Sequence, residues 1–206
     1  MKEAISVFYS KKLVFFLFIL FVFIGGILLM SSDKETFHLI LNRYHNSFFD
    51  MFFKYATYLG DGIIFPIVIV GLLVFNRKDA TAFIISGIMT LIISYVLKNW
   101  VFIDFARPYE VFGDQLHIVE GVKMRRWHSF PSGHTTAAFA LFMLAIFYSR
   151  KIGWQLFFFL LALIAGLSRV YLSQHFLQDV LGGAILGTSI ALISYQLATR
   201  YPFFKK

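Results

Sequence analysis

The chain has 206 residues, which favours one domain, yet 59% of them are hydrophobic, above the roughly 45–50% apolar usage of soluble proteins. Phe (27) and Tyr (10) are abundant and Cys is absent, which excludes disulfide frameworks, thiolate metal sites and cysteine nucleophiles. A net charge of +8 would suit nucleic acid, but the basic residues are spread in small groups instead of forming a patch, so no nucleic-acid partner is expected.

The composition makes lipid the main solvent, and the predicted elements are membrane helices. Residues 13–30 carry no charge, follow Lys11 and Lys12, and have about the 17–25 residues that cross a bilayer. No small-residue cleavage site follows them, so the stretch reads as a retained first span and not as a signal peptide. From Thr36 to Tyr58, apolar and aromatic residues mix with Arg43, Asp50 and Lys54, the pattern of an amphipathic helix lying along the outer interface. Further spans are predicted at about 58–75, 80–97, 135–148, 152–167 and 180–197. Pro66 predicts a kink in the second span, and Gly183 with Gly187 predicts a close helix approach in the sixth. The expected fold class is an all-α integral membrane protein: one membrane-embedded domain over 1–206, six transmembrane helices in a bundle, and an amphipathic segment outside it.

Orientation follows from Lys and Arg at the span ends. Lys2, Lys11 and Lys12, then Arg77 and Lys78, Arg150 and Lys151, and finally Arg200, Lys205 and Lys206 fall on one side of the predicted layout. That side is read as cytoplasmic, with both termini on it, in a multi-pass protein of the cytoplasmic membrane. The outer face then receives residues 31–57, 98–134 and 168–179, and all the candidate reactive side chains with them.

The segment 98–134 is longer than an ordinary connection and ends in Pro-Ser-Gly-His, residues 131–134. Ser132 is a natural N-cap for the fourth span, and the amides after it face an anion with the positive end of the helix dipole behind them. Gly133 lets that backbone approach a ligand, and His134 is positioned to protonate a departing oxygen. In SRVYLSQHFLQDVLGG, His175 and Asp179 are four apart. A sixth helix starting near Ser173 would put them on one face, where the carboxylate fixes the imidazole tautomer and frees the other nitrogen to attack. Lys98, Arg107 and Arg169 sit near outer helix ends, and a charge at a helix centre costs roughly 2.5–3.5 kcal/mol on insertion scales. One dianionic phosphate would partner all three, with snorkelling to headgroups as the alternative. Lys123, Arg125 and Arg126 read as more exposed, at headgroup level.

This constellation resembles the type 2 phosphatidic acid phosphatases, membrane enzymes related to bacterial acid phosphatases, glucose-6-phosphatase and vanadium haloperoxidases. Pro-Ser-Gly-His is matched in full by residues 131–134, and the Ser-Arg, five residues, His, three residues, Asp motif by Ser168, Arg169, His175 and Asp179. The resemblance covers about residues 80–190 and implies a lipid phosphate or prenyl diphosphate substrate in the bilayer. Undecaprenyl diphosphate and phosphatidylglycerol phosphate rank first. It further implies His175 as the nucleophile that becomes phosphohistidine, Asp179 as its orienter and His134 as the acid. Lys98, Arg107, Ser132, Gly133 and Arg169 would hold the phosphoryl oxygens, with no metal and no cofactor. The first motif departs from the family pattern, since Lys98 and Arg107 enclose eight residues instead of six. Nine steps of about 100° would put them on opposite faces of one helix, so the chain must leave the helix between them, as the residue before Pro108 is biased to do.

Two other chemistries remain open on the residues alone. The same cations would serve an anion transporter or channel, although no inverted repeat marks a midplane site. His134, His175 and Asp179 would equally supply three ligands to zinc, with the nearby cations opposing it.

Overall fold

A backbone in lipid has only its own turns to satisfy its N–H and C=O groups, so the apolar runs fold as helices. The computed structural model describes residue 7 and residues 9–204, and contains no strand among them; Lys2, Lys205 and Lys206 lie outside the described residues. Among the described residues nine α-helices position the site: α1 (Lys12–Ser31), α2 (Lys34–Asn42), α3 (Ser47–Ala56), α4 (Ile64–Phe75), α5 (Arg77–Val96), α6 (Pro108–Phe112), α7 (Gly133–Tyr148), α8 (Ile152–Tyr171) and α9 (Leu177–Arg200).

Four of these, α1, α5 with the π-helical turn Leu97–Val101 behind it, α8 and α9, are long and apolar enough to cross a membrane. A fifth span arises if the Ser47–Gly60 and Ile64–Phe75 segments, bent by 56° to one another, count as one. α7 is shorter at 16 residues but apolar, and it is the most enclosed helix: Ala138, Phe139, Ala140, Met143, Leu144 and Ile146 are all fully buried. It packs mainly against α9 and α8, and its core continues to Phe15, Phe159 and Ile190. α1 by contrast presents Phe16, Ile19 and Phe23 outward, as a lipid-facing helix does.

Two expectations are corrected here. The segment from Thr36 to Tyr58 is not one amphipathic helix but two, because Asn46 is extended and its side chain caps Phe49 N at 3.0 Å, starting α3 anew after Asp33 has capped α2. The stretch 58–75 is not a helix kinked at Pro66. The chain passes through the 3₁₀ turn Thr57–Gly60, breaks at residues 61–63 and restarts at Ile64, so Pro66 falls in the first turn of α4, where its missing N–H leaves no bond unmade.

The basic pairs gather at one end of the bundle: Lys11 Nζ donates to the Ser149 carbonyl, and Lys78 and Arg150 border one cavity with Tyr195 and Thr199. The other end receives the C-terminal ends of α5 and α8 and the N-terminal ends of α7 and α9, and with them every candidate reactive side chain.

Candidate active site

His175 lies in the loop between α8 and α9, not on the helix face where the sequence put it. Ser173 takes a left-handed conformation (φ 52°), and Phe176 is the extended N-cap of α9, so the helix begins only at Leu177. Ser173 is held in that conformation by Asn42 Nδ2 and His38 Nε2, each 3.1 Å from its hydroxyl. The pairing with Asp179 survives by another route. Asp179 Oδ2 accepts from Phe176 N at 3.0 Å, closing the first turn of α9, and the same oxygen lies 3.4 Å from His175 Nδ1.

Ser129, which the sequence reading passed over, donates to Asp179 Oδ2 at 2.5 Å and stands 3.4 Å from His175 Nδ1. The carboxylate is thus fixed by a hydroxyl and an amide while its Oδ1 has no partner among the described residues. Burial, then the charges of Arg107, Lys98, Arg169 and His134, hold the His175 imidazole well below its ordinary range. It is therefore neutral at physiological pH, with Nδ1 turned to Asp179 and Nε2 left for a reacting atom.

A cavity of about 360 Å³ opens in front of this imidazole. His134, Lys98, Arg107 and Arg169 line it with His175, so five of the eight predicted site residues share one wall. Lys54, Lys123 and Arg125 add three more cations, and no carboxylate lines it. A low-dielectric hollow with six cationic side chains and no anion concentrates negative ligands. The sequence reading gave Lys54 to an interfacial helix and Lys123 and Arg125 to headgroups. Lys54 reaches the cavity from α3, while Lys123 and Arg125 come with the fold of residues 113–132 over the bundle, for which spacing carried no signal.

Between Lys98 and Arg107 the chain does leave the helix, first through the π-helical turn Leu97–Val101 and then in irregular backbone up to Arg107, which is extended before Pro108. Arg107 donates to three carbonyls: Trp127 at 2.9 Å, Gln174 at 3.1 Å and His128 at 3.3 Å. Five donors on a guanidinium leave two for a ligand. Burial and the neighbouring Arg125 lower Arg107 to about 10, so it stays charged at neutral pH. Arg169 donates to Thr57 Oγ1 at 2.6 Å and Gln174 Oε1 at 3.3 Å, and its buried Nε has no partner among the described residues.

Ser132 and Gly133 do not line the cavity. The Ser132 hydroxyl is fully buried and serves α7, accepting from Thr135 N at 3.4 Å and Thr135 Oγ1 at 2.9 Å, the capping role its type suggests. A Cβ on Gly133 would stand 3.6 Å from Lys98 Nζ, and one on Gly60 would meet the His134 carbonyl at 2.6 Å. Gly60 thus lets the 3₁₀ turn close on the start of α7, while at Gly133 a Cβ would meet Lys98 only in ordinary contact.

His134 also borders a second hollow. An apolar groove of about 480 Å³ runs between α4, α5 and α7, lined by Phe65, Ile69, Ile84, Ile88 and Leu91, and ends at Gly133 and His134. Among the described residues, His134, His175 and Asp179 do not bring all three of their ligand atoms within 4.8 Å of one another.

Comparison with known proteins gives a consistent answer. A sequence profile described as the PAP2 superfamily matches residues 79–202. The chain is 27% identical over 159 residues to the undecaprenyl-diphosphatase BcrC of Bacillus subtilis (strain 168), covering 75% of this chain and 78% of that protein. Its fold is similar to that of Aquifex aeolicus LpxE in the crystal, with a TM-score of 0.69 and 26% identity over 77% of this chain and 92% of the other. It also superimposes on the first transmembrane PAP2 type phosphatidylglycerolphosphate phosphatase from Bacillus subtilis, over the full length of both, with a TM-score of 0.64 and 22% identity, a likeness of fold.

Proposed function

This chain belongs to the PAP2 superfamily, a family of phosphatases, and from that premise we propose that it hydrolyses a lipid phosphate monoester or diphosphate through a phosphohistidine at the outer face of the membrane. The observation that carries the lipid reading is the position of His134, shared by a cationic cavity on one side and an apolar groove on the other. A headgroup phosphate in the first and an acyl or prenyl chain in the second would put the scissile P–O bond beside that imidazole.

In this mechanism neutral His175 attacks phosphorus through Nε2 while His134 gives a proton to the leaving oxygen, so that the P–N bond forms as the P–O bond breaks. His134 then takes a proton from water as the water oxygen attacks phosphorus and releases phosphate and free His175. Lys98, Arg107 and Arg169 carry the equatorial oxygens, and losing one preorganised donor of this kind costs about 10²–10³ in rate. Asp179 holds the tautomer of His175. Ser132 and Gly133 act through the backbone of α7, as its cap and as the point where Lys98 comes close. The surrounding cations replace the charge a divalent metal would supply.

The proposed setting is one membrane-embedded unit over residues 1–206. Its six spans count α7 and the bent α3–α4 pair with the four long helices, both termini are cytoplasmic, and the cavity faces outward. Undecaprenyl diphosphate and phosphatidylglycerol phosphate are ranked first as substrates, the former supported by the likeness to an undecaprenyl-diphosphatase. The test is phosphate release in detergent micelles from a panel of prenyl diphosphates and glycerolipid phosphates, with products followed by mass spectrometry. Wild type is expected to release phosphate from one of the two and His175→Ala from none. Equal release by both proteins would overturn the mechanism, and transfer of the phosphoryl group to a second lipid would make the protein a phosphotransferase.

A further inference from the structure

Away from the cationic cavity, among the described residues, one more group of ionisable side chains brings its donor atoms together. His45, in the turn between α2 and α3, places Nδ1 2.8 Å from Asp50 Oδ1. His117, in the long loop after α6, places Nε2 2.9 Å from Asp50 Oδ2. The ligand atoms of all three lie within 4.8 Å of one another, and the two imidazole rings are 4.3 Å apart. These residues come from three separate segments, and none of them lines the phosphate cavity.

We propose that His45, Asp50 and His117 bind one divalent transition-metal ion, with zinc the ion that their donors fit. Two imidazole nitrogens and one carboxylate oxygen are a borderline-soft set that suits zinc and leaves a fourth, tetrahedral position for water. Calcium and magnesium favour oxygen ligands and more of them. Zinc bonds of about 2.0–2.2 Å in tetrahedral geometry separate ligand atoms by roughly 3.3–3.5 Å. Replacing the two shared protons by the ion therefore needs the present contacts to open by about half an ångström.

The surroundings suit that exchange. Tyr171 donates its hydroxyl to Asp50 Oδ1 at 2.7 Å, and His45 Nε2 stands 3.3 Å from Asn42 Nδ2. With metal on Nδ1, the His45 proton moves to Nε2, and the Asn42 amide beside it keeps its two donors on the His117 carbonyl and the Ser173 hydroxyl. The His117 side chain is 48% exposed, so its proton passes to Nδ1 facing water and an ion has a way in. Lys54, one turn after Asp50, extends toward Gly121 and forms no ion pair with the carboxylate.

An ion here would fasten the long loop to α3 and to the end of α8. That loop carries Gly121, Lys123 and Arg125 on the wall of the phosphate cavity. Asn42 holds the His117 backbone through both N and O and also donates to Ser173, two residues before His175. The proposed ion is thus a clamp on the cavity wall, outside the phosphoryl chemistry.

The test uses full-length protein without a polyhistidine tag, stripped with a chelator and titrated with zinc against a chromophoric competitor. One zinc per chain is expected, weakened on the order of 10–100-fold or more by His117→Ala and by Asp50→Asn. His175→Ala should bind as wild type does, which separates this site from the cavity. Wild type loaded with cobalt should show the visible absorption of a tetrahedral nitrogen and oxygen site, a readout that needs no variant to fold. Absence of stoichiometric zinc in wild type, unchanged binding in Asp50→Asn and His117→Ala, or loss of binding in His175→Ala would each overturn the proposal.

Discussion

Ser129 donates to Asp179 at 2.5 Å and does not line the cavity, so it acts through the carboxylate as a positioning residue. A hydrogen bond to a charged group is worth about 1.5–3 kcal/mol, so Ser129→Ala is expected to lower kcat by about 10–10²-fold with KM nearly unchanged. The pH profile gives a second readout. His175 must be neutral to attack, and its lowered pKa puts the acid limb of kcat/KM in wild type below pH 6.5, with activity lost as pH falls through that limb. Without the Ser129 donor, Asp179 becomes a stronger acceptor for the protonated imidazole, and the limb should move upward; a limb that stays in place would count against this role. At this scale residue type and spacing pick out His134, His175, Asp179, Arg107 and Arg169 as candidates, and four of them line one cavity with Asp179 beside His175, so these positions were legible as a constellation. Ser129, Thr57 and Gln174 were not, because a hydroxyl or amide that supports another side chain carries no type-specific signal in one dimension.

At the level of the elements, α7 and α9 meet through glycine. A Cβ on Gly187 would collide with the Thr136 carbonyl, and one on Gly183 would stand 2.7 Å from the Ser132 carbonyl and 3.0 Å from Thr135 Cβ. These neighbours are backbone or a buried side-chain stem, so the helices would have to separate. Overpacking of this kind typically costs about 1–3 kcal/mol, and Gly187→Leu should lower the thermal midpoint clearly in a detergent melt. Gly26→Ala in α1 is the control, since open space surrounds that position and no loss is expected there. The small-xxx-small spacing announced this contact in advance, because close approach has a fixed chemical requirement. The start of α9 was not announced. Nothing in residues 168–177 breaks a helical pattern as Pro or Gly would, and the interruption depends on Ser173 being held left-handed by Asn42 and His38 from α2.

For the molecule as a whole, the proposed orientation rests on charge asymmetry, with the described basic pairs at one end of the bundle and the cavity at the other. The chain contains no Cys, so single cysteines report orientation cleanly. Glu120→Cys, exposed in the long loop, should react with a membrane-impermeant maleimide in intact cells, and Lys151→Cys, between α7 and α8, only after permeabilisation. The reverse pattern would place the active site in the cytoplasm and end the outer-face reading. The sequence by itself determined that the chain is helical, lives in lipid and carries phosphatase motifs, because apolar run length, the cost of buried charge and the chemistry of phosphoryl transfer all act on residue type and local spacing. Tertiary structure alone decided which cations share the cavity, that Ser132, the helix cap its type suggests, does not line it, and that His45, Asp50 and His117 converge. Each of these depends on where a long irregular loop lies across helix ends, and no local periodicity encodes a path set by hydrogen bonds to distant residues.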